Sequence, residues 1–251
     1  MTRVLVTGAS GLIGGVLREA LAERYALSGL DARRIRGSGL HVVDMRKLGR
    51  VERVFAGHDM VVDLAANPSV SSSWNEVRAN NLPATWNALE ASTRAGVKRL
   101  VFASSNHVTG LYEREPPYSA IVAGAYDGLD PAAFTRITTR HPVRPDSPYA
   151  VGKVFGEAAG RYFAEARGLS VICLRIGSVN PVDRPRNARE FATLLTHRDL
   201  VALVDASIRA PEGVRFAVYY GVSANTWRIW DVDDARQEIG FVPVDNAESW
   251  R

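Results

Sequence analysis

The stretch that decides the fold is Arg3-Val4-Leu5-Val6-Thr7-Gly8-Ala9-Ser10-Gly11-Leu12-Ile13-Gly14. An apolar, β-branched run enters a turn with glycines at three spaced positions, and the helical pattern Leu12–Arg24 follows at once. A strand that passes through such a turn into a helix is typical of a dinucleotide-binding unit. Gly8 permits the tight turn, Gly11 lets the backbone approach a pyrophosphate, and Gly14 allows close packing of helix on strand.

We therefore predict that this loop binds NAD, with the unpaired N–H groups of the helix start facing the phosphates. An ordinary glycine turn is the alternative, and the strand and helix on either side argue against it. The predicted cofactor contacts in the loop are Gly8, Ser10, Gly11, Leu12, Ile13 and Gly14.

The next predicted strand ends in an acidic residue, Asp31. A carboxylate there accepts both ribose hydroxyls and repels a 2′-phosphate, which favours NAD over NADP. Arg33 and Arg34 follow, and they are either surface charges or partners for a 2′-phosphate. Asp44, after the third strand, is either an acceptor for the adenine amino group or an exposed turn residue.

Apolar runs alternate with helical patterns along most of the chain, which predicts an α/β fold: a Rossmann-type, doubly wound parallel sheet with helices on both faces. We expect an NAD-binding domain at 1–176 and a small mixed lobe at 177–251 that is not independent. The segment 111–148 is rich in Pro, Tyr, Gly and Arg, and we expect a substrate loop there. The predicted strands are Val4–Val6, Ala26–Leu30, His41–Val43, Met60–Leu64, Arg99–Ala103 and Ser170–Ile176, with a further strand at Val214–Tyr220.

Composition excludes several classes of protein. The net charge of +4 comes from dispersed arginines without a basic run, so we expect no nucleic-acid partner. The single cysteine, Cys173, excludes an intramolecular disulfide and a thiolate metal site, and we expect no metal. The strand-like run that follows Met1 leaves no room for a leader, and no stretch is long and apolar enough to span a membrane. We expect a cytoplasmic protein.

Tyr149 and Lys153 are one helical turn apart, so they lie on the same face of a helix. A cation beside a phenol favours the phenolate, which is a suitable base for oxidising a carbinol. Ser105 follows the fifth strand, at the carboxyl edge where open α/β sheets bind ligands. We predict that Ser105 positions a hydroxyl whose proton Tyr149 removes.

With these residues in place, the chain resembles the extended short-chain dehydrogenases/reductases and, among them, the uronate dehydrogenases. The resemblance runs nearly end to end. Its motifs are Phe-Ala-Ser-Ser-Asn-His (102–107), Arg-Pro-Asp-Ser-x-Tyr (144–149), Leu-Arg-Ile-Gly-Ser (174–178) and Gly-Val-Ser-Ala-Asn-Thr (221–226).

The resemblance implies catalytic roles for Ser105, Tyr149 and Lys153, with Arg175 holding the carboxylate of the sugar. It also implies that Asn81 helps to hold the active-site helix. Further cofactor contacts are implied at Met45, Leu64, Ala65, Ala66, Tyr149 and Lys153, with Lys153 holding the ribose. Further substrate contacts are implied at Ser69, Ser105, Asn106, His107 and Tyr149.

Several of these residues could instead have a purely structural role. Arg175 could form an internal salt bridge, His107 could bond to backbone, and Asn81 could be an ordinary hydrogen bonder inside a helix. Two features also depart from uronate dehydrogenases: Asp63 stands where many relatives have histidine, and the 111–148 segment is longer. The longer loop resembles NAD-dependent glucose-6-phosphate dehydrogenases, and its cations near the site are Arg136, Arg140, His141 and Arg144.

We therefore expect NAD-dependent oxidation of the C1 hemiacetal hydroxyl of an anionic aldose to its lactone, with a uronate as the first choice. An aldose 6-phosphate is the alternative substrate. A nucleotide-sugar epimerase or dehydratase and a non-catalytic dinucleotide sensor are the alternative classes. We also expect a homo-oligomer, a dimer or higher, that pairs through the helices beginning near Trp74 and Tyr149.

Overall fold

A computed structural model describes residues 1–251. All seven strands join one parallel sheet in the order β3-β2-β1-β4-β5-β6-β7. This confirms the predicted doubly wound sheet, and the order reverses between β1 and β4, where such folds bind ligands. The strands are β1 (Arg3–Thr7), β2 (Ala26–Asp31), β3 (His41–Val42), β4 (Met60–Asp63), β5 (Arg99–Ser105), β6 (Ser170–Ile176) and β7 (Phe216–Gly221).

Helices cover both faces of the sheet, so the central strands read as continuous apolar runs rather than alternating ones. Every residue of β6 is buried for this reason. Two 3-10 segments also occur, one of nine residues at Asn106–Arg114 and one of four at Ala247–Trp250. The helices are α1 (Leu12–Ala20), α2 (Leu48–Phe55), α3 (Trp74–Glu76), α4 (Leu82–Arg94), α5 (Tyr118–Ala123), α6 (Pro148–Arg167), α7 (Glu190–Thr193), α8 (His197–Ile208) and α9 (Asp233–Ile239).

Three elements differ from the sequence prediction. Helix α1 ends at Ala20 rather than at Arg24. A turn follows it, in which Tyr25 N–H donates a hydrogen bond to the Leu21 carbonyl oxygen. The predicted helix from Trp74 is interrupted by a π-helical segment, Val77–Asn81. The 111–148 segment is not wholly irregular, because it contains α5.

The region after residue 176 contributes to the main sheet. Strand β7 pairs in parallel with β6, and α8 packs its apolar side into the same core as α1 and β6. A separate aromatic cluster joins the 111–148 segment to residues 220–232, and its members include Ile121, Ile137, Trp227 and Trp230. The proposed boundary between domain and lobe at residue 176 stays a prediction.

None of the helices combines the length and the apolar character that crossing a membrane requires.

Helix α6 approaches β5 very closely at one glycine. A Cβ atom added to Gly156 would lie 2.3 Å from the Phe102 ring, which is much closer than two carbon atoms can pack. The absence of a side chain therefore lets α6 lie directly on β5. Lys153, one turn earlier on α6, gains its position over that strand from this contact.

We predict that Gly156→Ala destabilises the fold, because overpacking a buried contact costs about 1–3 kcal/mol. In a domain of this size the melting temperature should fall by about 2–10 °C. Gly15→Ala is the matched control, since a Cβ there meets nothing within 4 Å and alanine is the better helix former. Equal melting temperatures of Gly156→Ala and the natural chain would contradict the close packing.

Candidate active site at the carboxyl edge of the sheet

The loop after β1 leaves no room for side chains at two of its glycines. Gly8 has a φ of 62°, in the left-handed region, and a Cβ there would lie 2.9 Å from the Leu64 carbonyl oxygen. A Cβ on Gly14 would lie 2.6 Å from the Gly8 carbonyl oxygen. Both positions require glycine, as the sequence pattern predicted.

The start of helix α1 offers unpaired backbone donors. Gly11 occupies the cap position and supplies no side-chain hydrogen bond, so the N–H groups of the first turn have no partner in the chain. These donors and the helix dipole suit an anion such as a pyrophosphate. The glycine loop therefore fits the phosphates of a dinucleotide, with Leu12 and Ile13 in the first turn.

Asp31 is held at the end of β2 by donors from the same loop. It accepts hydrogen bonds from Ser10 N–H at 3.1 Å, Ser10 Oγ at 2.6 Å and Arg33 N–H at 2.9 Å. Burial opposes its charge, but these hydrogen bonds outweigh burial and hold the pKa of Asp31 below its usual value. Asp31 is therefore an ionised acceptor beside the loop, and a 2′-phosphate would meet its negative charge.

The other expected cofactor residues lie around this edge. Asp44 accepts a bidentate pair of bonds from Arg46, at 2.8 and 2.9 Å, so its carboxylate already has a partner. Met45 is buried beside it. After β4, the N–H groups of Leu64 and Ala65 donate to Thr7 Oγ1, both at 3.1 Å, which ties that turn to the glycine loop.

Thr7 in turn donates to Asp63 across 2.5 Å, and Asp63 is buried at the end of β4. Burial raises the pKa of Asp63 to about 6, although the hydrogen bond from Thr7 and the charge of Lys153 lower it.

The structure brings Ser105, Tyr149 and Lys153 together at the ends of β5 and α6. Lys153 Nζ donates to the Ala103 carbonyl oxygen at 2.6 Å and lies 5.6 Å from the centre of the Tyr149 ring. All three side chains are buried or nearly so. Lys153 thus lies beside the Tyr149 ring and against β5, the strand that ends in Ser105, and no hydrogen bond joins the three side chains directly.

His107 has a partner that the sequence did not identify. Its Nδ1 lies 2.6 Å from Asp146 Oδ2, and its ring stands edge-on to the Tyr149 ring at 6.4 Å between centres. The carboxylate fixes the orientation of the imidazole and leaves Nε2 available. Asp146 lies inside the motif at 144–149, but nothing in the pattern predicts a contact with a residue 39 positions earlier.

The loop before α3 is held by Asn81. Its side chain accepts from Asn67 N–H at 2.9 Å and donates to the Asn67 carbonyl oxygen at 3.1 Å. Ser69, an expected substrate contact, follows two residues later, and Asn106 is buried next to Ser105. Asn81 therefore orders the loop that carries Ser69, and a bond confined to its own helix is not observed.

Arg175 requires a correction. We expected an open fork for a substrate carboxylate, but Nε and Nη2 donate to the two oxygens of Glu157 at 2.9 and 2.8 Å. Nη1 donates to the Tyr220 hydroxyl at 3.2 Å, and only 3% of Arg175 is exposed. Glu157 also accepts from Ser104 Oγ at 2.6 Å. Arg175 on β6 thus forms a buried ion pair with Glu157 on α6.

A second arginine near the site was not identified from the sequence. Arg189 donates Nε and Nη2 to Glu113 at 2.6 and 2.7 Å and Nη1 to Ser178 Oγ at 3.2 Å. Its charge also lowers the pKa of Asp146, which places it close to the His107 pair. Glu113 lies 76 positions away, so no local pattern indicates the pair.

The cations of the 111–148 segment are mostly engaged. Arg144 donates to Glu115 at 2.7 Å, and Arg140 lies 3.9 Å from Asp234. The ring of His141 accepts from Thr138 N–H at 3.0 Å. Arg136 has no carboxylate partner within ion-pair distance, unlike Arg140 and Arg144.

With this geometry in place, comparison with known proteins identifies the family. Residues 4–193 match the model of the NAD dependent epimerase/dehydratase family. The chain belongs to that family. Within it, the chain is 35% identical to the L-arabinose 1-dehydrogenase (NAD(P)(+)) of Haloferax volcanii, over 98% of both chains. It is 34% identical to the uronate dehydrogenase of Agrobacterium fabrum, covering 100% of this chain and 88% of the other.

Solved structures of family members have the same fold. The uronate dehydrogenase from Agrobacterium tumefaciens superposes with a TM-score of 0.83 at 33% identity, covering 100% of this chain and 87% of that one. A mutant of that enzyme complexed with NAD gives the same TM-score of 0.83 at 32% identity. These matches confirm the predicted fold and the resemblance to uronate dehydrogenases.

We predict that Arg175→Ala lowers the free energy of unfolding by about 3–5 kcal/mol, because it leaves Glu157 buried without a partner. Urea unfolding would measure the loss. The double variant Arg175→Met/Glu157→Leu should recover most of it, since it removes both charges. A loss confined to turnover of anionic sugars, with stability unchanged, would contradict the buried-pair role.

The pKa of Asp63 predicts a pH effect on stability. Because its pKa is raised on folding, the free energy of unfolding falls as pH rises through about 6. Asp63→Asn removes this dependence, so its stability relative to the natural chain should rise by about 1.4 kcal/mol between pH 5 and pH 8. Asp59→Asn is the control: the pKa of Asp59 is lowered, so its effect should stay constant over that range. A pH-independent effect of Asp63→Asn would contradict the prediction.

Proposed function

We propose that this family member is an NAD-dependent dehydrogenase that oxidises the C1 hemiacetal hydroxyl of an aldose to the lactone. The observation that supports the proposal most is that Lys153 contacts Ala103 of β5, the strand that ends in Ser105, and lies 5.6 Å from the Tyr149 ring, at the same edge of the sheet as the glycine loop. Relatives named as L-arabinose 1-dehydrogenase and uronate dehydrogenase, at 32–35% identity over nearly the whole chain, support the reaction.

In the proposed mechanism, Tyr149 accepts the proton of the C1 hydroxyl and Ser105 orients that hydroxyl by a hydrogen bond. Lys153, held by the Ala103 carbonyl, stabilises the phenolate form by its charge. Nε2 of His107 is available to a second sugar hydroxyl, because Asp146 occupies Nδ1. NAD, when bound, supplies the acceptor for the hydride from C1.

The residues around the loop fit that cofactor. The first turn of α1 would hold the pyrophosphate, and Asp31 would accept from the ribose hydroxyls. Leu64, Ala65 and Ala66 follow β4, next to Gly8 in the adjacent turn. The ionised state of Asp31 supports NAD over NADP, because a 2′-phosphate would be repelled.

We propose a uronate as the first substrate to test, on the strength of the uronate dehydrogenases among the relatives. One observation favours an uncharged aldose as a second candidate. Both arginines near the catalytic residues, Arg175 and Arg189, already bind carboxylates of the chain, Glu157 and Glu113. A sugar carboxylate would have to compete with Glu113 for Arg189, whereas an uncharged sugar would not.

We also propose a homo-oligomer and a cytoplasmic location. An apolar surface on α4 and α6 supports the oligomer: Trp86 and Tyr162 stack at 6.2 Å and remain 41% and 48% exposed. Val151, on the same helix as Tyr162, is also exposed. Light scattering of the purified chain would measure its mass in solution.

The single buried cysteine, Cys173, is compatible with the reducing compartment that a cytoplasmic location implies.

Formation of reduced nicotinamide tests the reaction. We expect galacturonate, glucuronate or L-arabinose to be oxidised, with higher kcat/KM for NAD than for NADP. Tyr149→Phe should lower kcat at least 100-fold, because it removes the proton acceptor while leaving the cofactor loop intact. Binding of NAD, followed by protein fluorescence, should persist in that variant.

Tyr162→Phe is the matched control, since the same atom is removed from an exposed tyrosine of the same helix. It should keep kcat within about threefold. Full kcat in Tyr149→Phe would refute the mechanism. Binding of NAD with no oxidation of any of these sugars or of glucose 6-phosphate would refute the proposed function.

A further inference from the structure

Two arginines lie together where the 111–148 segment meets the segment after β7. Ile137 N–H donates to the Ile229 carbonyl oxygen at 2.8 Å, and Asp231 N–H donates to the Ile137 carbonyl oxygen at 3.0 Å. This short parallel bridge joins the two segments beside the aromatic cluster. Arg136 precedes Ile137, and Arg228 precedes Ile229, so both guanidinium groups start from the same junction.

These two arginines lack the carboxylate partners that three other buried or partly buried arginines of the chain have. Arg144, Arg175 and Arg189 each bind a carboxylate. Arg136 has a single long bond, from Nη2 to the Pro131 carbonyl oxygen at 3.4 Å, and Arg228 makes no side-chain hydrogen bond within the chain. Two further arginines that are not exposed, Arg18 and Arg99, also have no carboxylate partner. Arg18 donates to the Ser38 carbonyl oxygen, and the buried Arg99 donates to several carbonyl oxygens.

Buried donors at the junction lack acceptors. The Nε atoms of Arg136 and Arg228 are inaccessible to solvent and have no hydrogen-bond partner, and the same holds for Nε1 of Trp230. Only six side-chain atoms of the whole chain are buried without a partner, and these three belong to one junction. An external ligand cannot reach these buried atoms, but it can reach the Nη groups. Those of Arg228 have no hydrogen-bond partner in the chain, and those of Arg136 have only the long bond from Nη2.

The two charges also repel each other. Burial and the charge of Arg136 lower the pKa of Arg228, and the nearby Asp231 and Asp233 only partly oppose that effect. Neither carboxylate lies within ion-pair distance of Arg228, and Asp233 instead pairs with Arg236 at 3.0 Å. Two half-buried like charges without an ion-pair partner destabilise the fold, and a bound anion would offset that cost.

We propose that Arg136 and Arg228 form a binding site for a phosphate group. Two guanidinium forks present several N–H donors, and a phosphate dianion supplies both the charge and the oxygens to match them. A single carboxylate would pair with one guanidinium group and neutralise only one of the two positive charges. The phosphate is either free in solution or part of a phosphate ester, and the two sources share this chemistry.

The site is distinct from the proposed catalytic residues, and it does not rest on the proposed function. Arg136 and Arg228 make no contact with Ser105, Tyr149 or Lys153. The link between the regions is indirect: Trp230 stacks on Tyr220 at 5.7 Å, and Tyr220 accepts from Arg175. Phosphate binding can therefore be measured on the purified chain without substrate and without turnover.

Thermal unfolding of the full chain in increasing inorganic phosphate, at constant ionic strength with sodium chloride, tests the proposal. The melting temperature of the natural chain should rise by about 5 °C when phosphate exceeds its Kd about 100-fold. Arg136→Gln and Arg228→Gln should lose that rise. Without phosphate, Arg228→Gln should melt no lower than the natural chain, because it removes an unpaired buried charge.

Arg50→Gln is the control, since Arg50 is exposed on α2, forms no ion pair and changes the net charge equally. It should keep the full phosphate response. Arg228→Lys, which retains the charge without the fork, should keep part of it. Glucose 6-phosphate and glucose, added in place of phosphate, distinguish the sources: a larger rise with the ester than with inorganic phosphate assigns the site to an ester.

Equal responses to phosphate in the natural chain and in both glutamine variants would overturn the proposal. A response to neutral glucose as large as that to glucose 6-phosphate, again independent of Arg136 and Arg228, would overturn it as well. Failure of sugar oxidation would leave these measurements unaffected, so the two proposals fail separately.

Discussion

The close contact of α6 with β5 is the constraint on which the candidate site depends. Gly156 lets the helix rest on the Phe102 ring, and Lys153 then reaches the Ala103 carbonyl oxygen at 2.6 Å. If a methyl group at position 156 pushed the helix away, that bond would lengthen, and Lys153 and Tyr149 would both move away from β5. The close packing that Gly156 allows therefore determines where the Lys153 ammonium lies at the sheet edge.

A buried ion pair reinforces the same contact between α6 and β5. Glu157 follows Gly156 on α6 and accepts from Arg175 on β6 and Ser104 on β5, so one carboxylate ties the helix to two strands. Such a pair adds little net stability compared with apolar packing, because both charges lose their hydration. Its geometry is nevertheless specific, since only one register of α6 satisfies all three bonds. We attribute to it a positioning role rather than contact with substrate.

Sequence patterns predicted the elements of this arrangement but not its long-range pairs. The glycine loop, the strand ends and the i, i+4 pair of Tyr149 and Lys153 are local, so spacing alone indicates them. The partners of His107, Arg175 and Arg189 lie 39, 18 and 76 positions away, and each of those arginines had many carboxylates to choose from. The turn at Leu21 and the π-helical segment also escaped prediction, because tertiary contacts override local periodicity there.

The pairing of arginines changes how the positive charge of this chain should be interpreted. A net charge of +4 and arginines around a sugar site suggest an anionic ligand, yet Arg175 and Arg189 are neutralised by carboxylates of the chain itself. Arg136 and Arg228, which are also partly buried, have no carboxylate partner. Attraction of an anion therefore depends on which guanidinium groups remain unpaired after folding, and the count of arginines does not reveal that. Under the proposed function, Ser105, Tyr149 and His107 would therefore recognise a sugar through its hydroxyl groups, because the two nearby arginines are already paired.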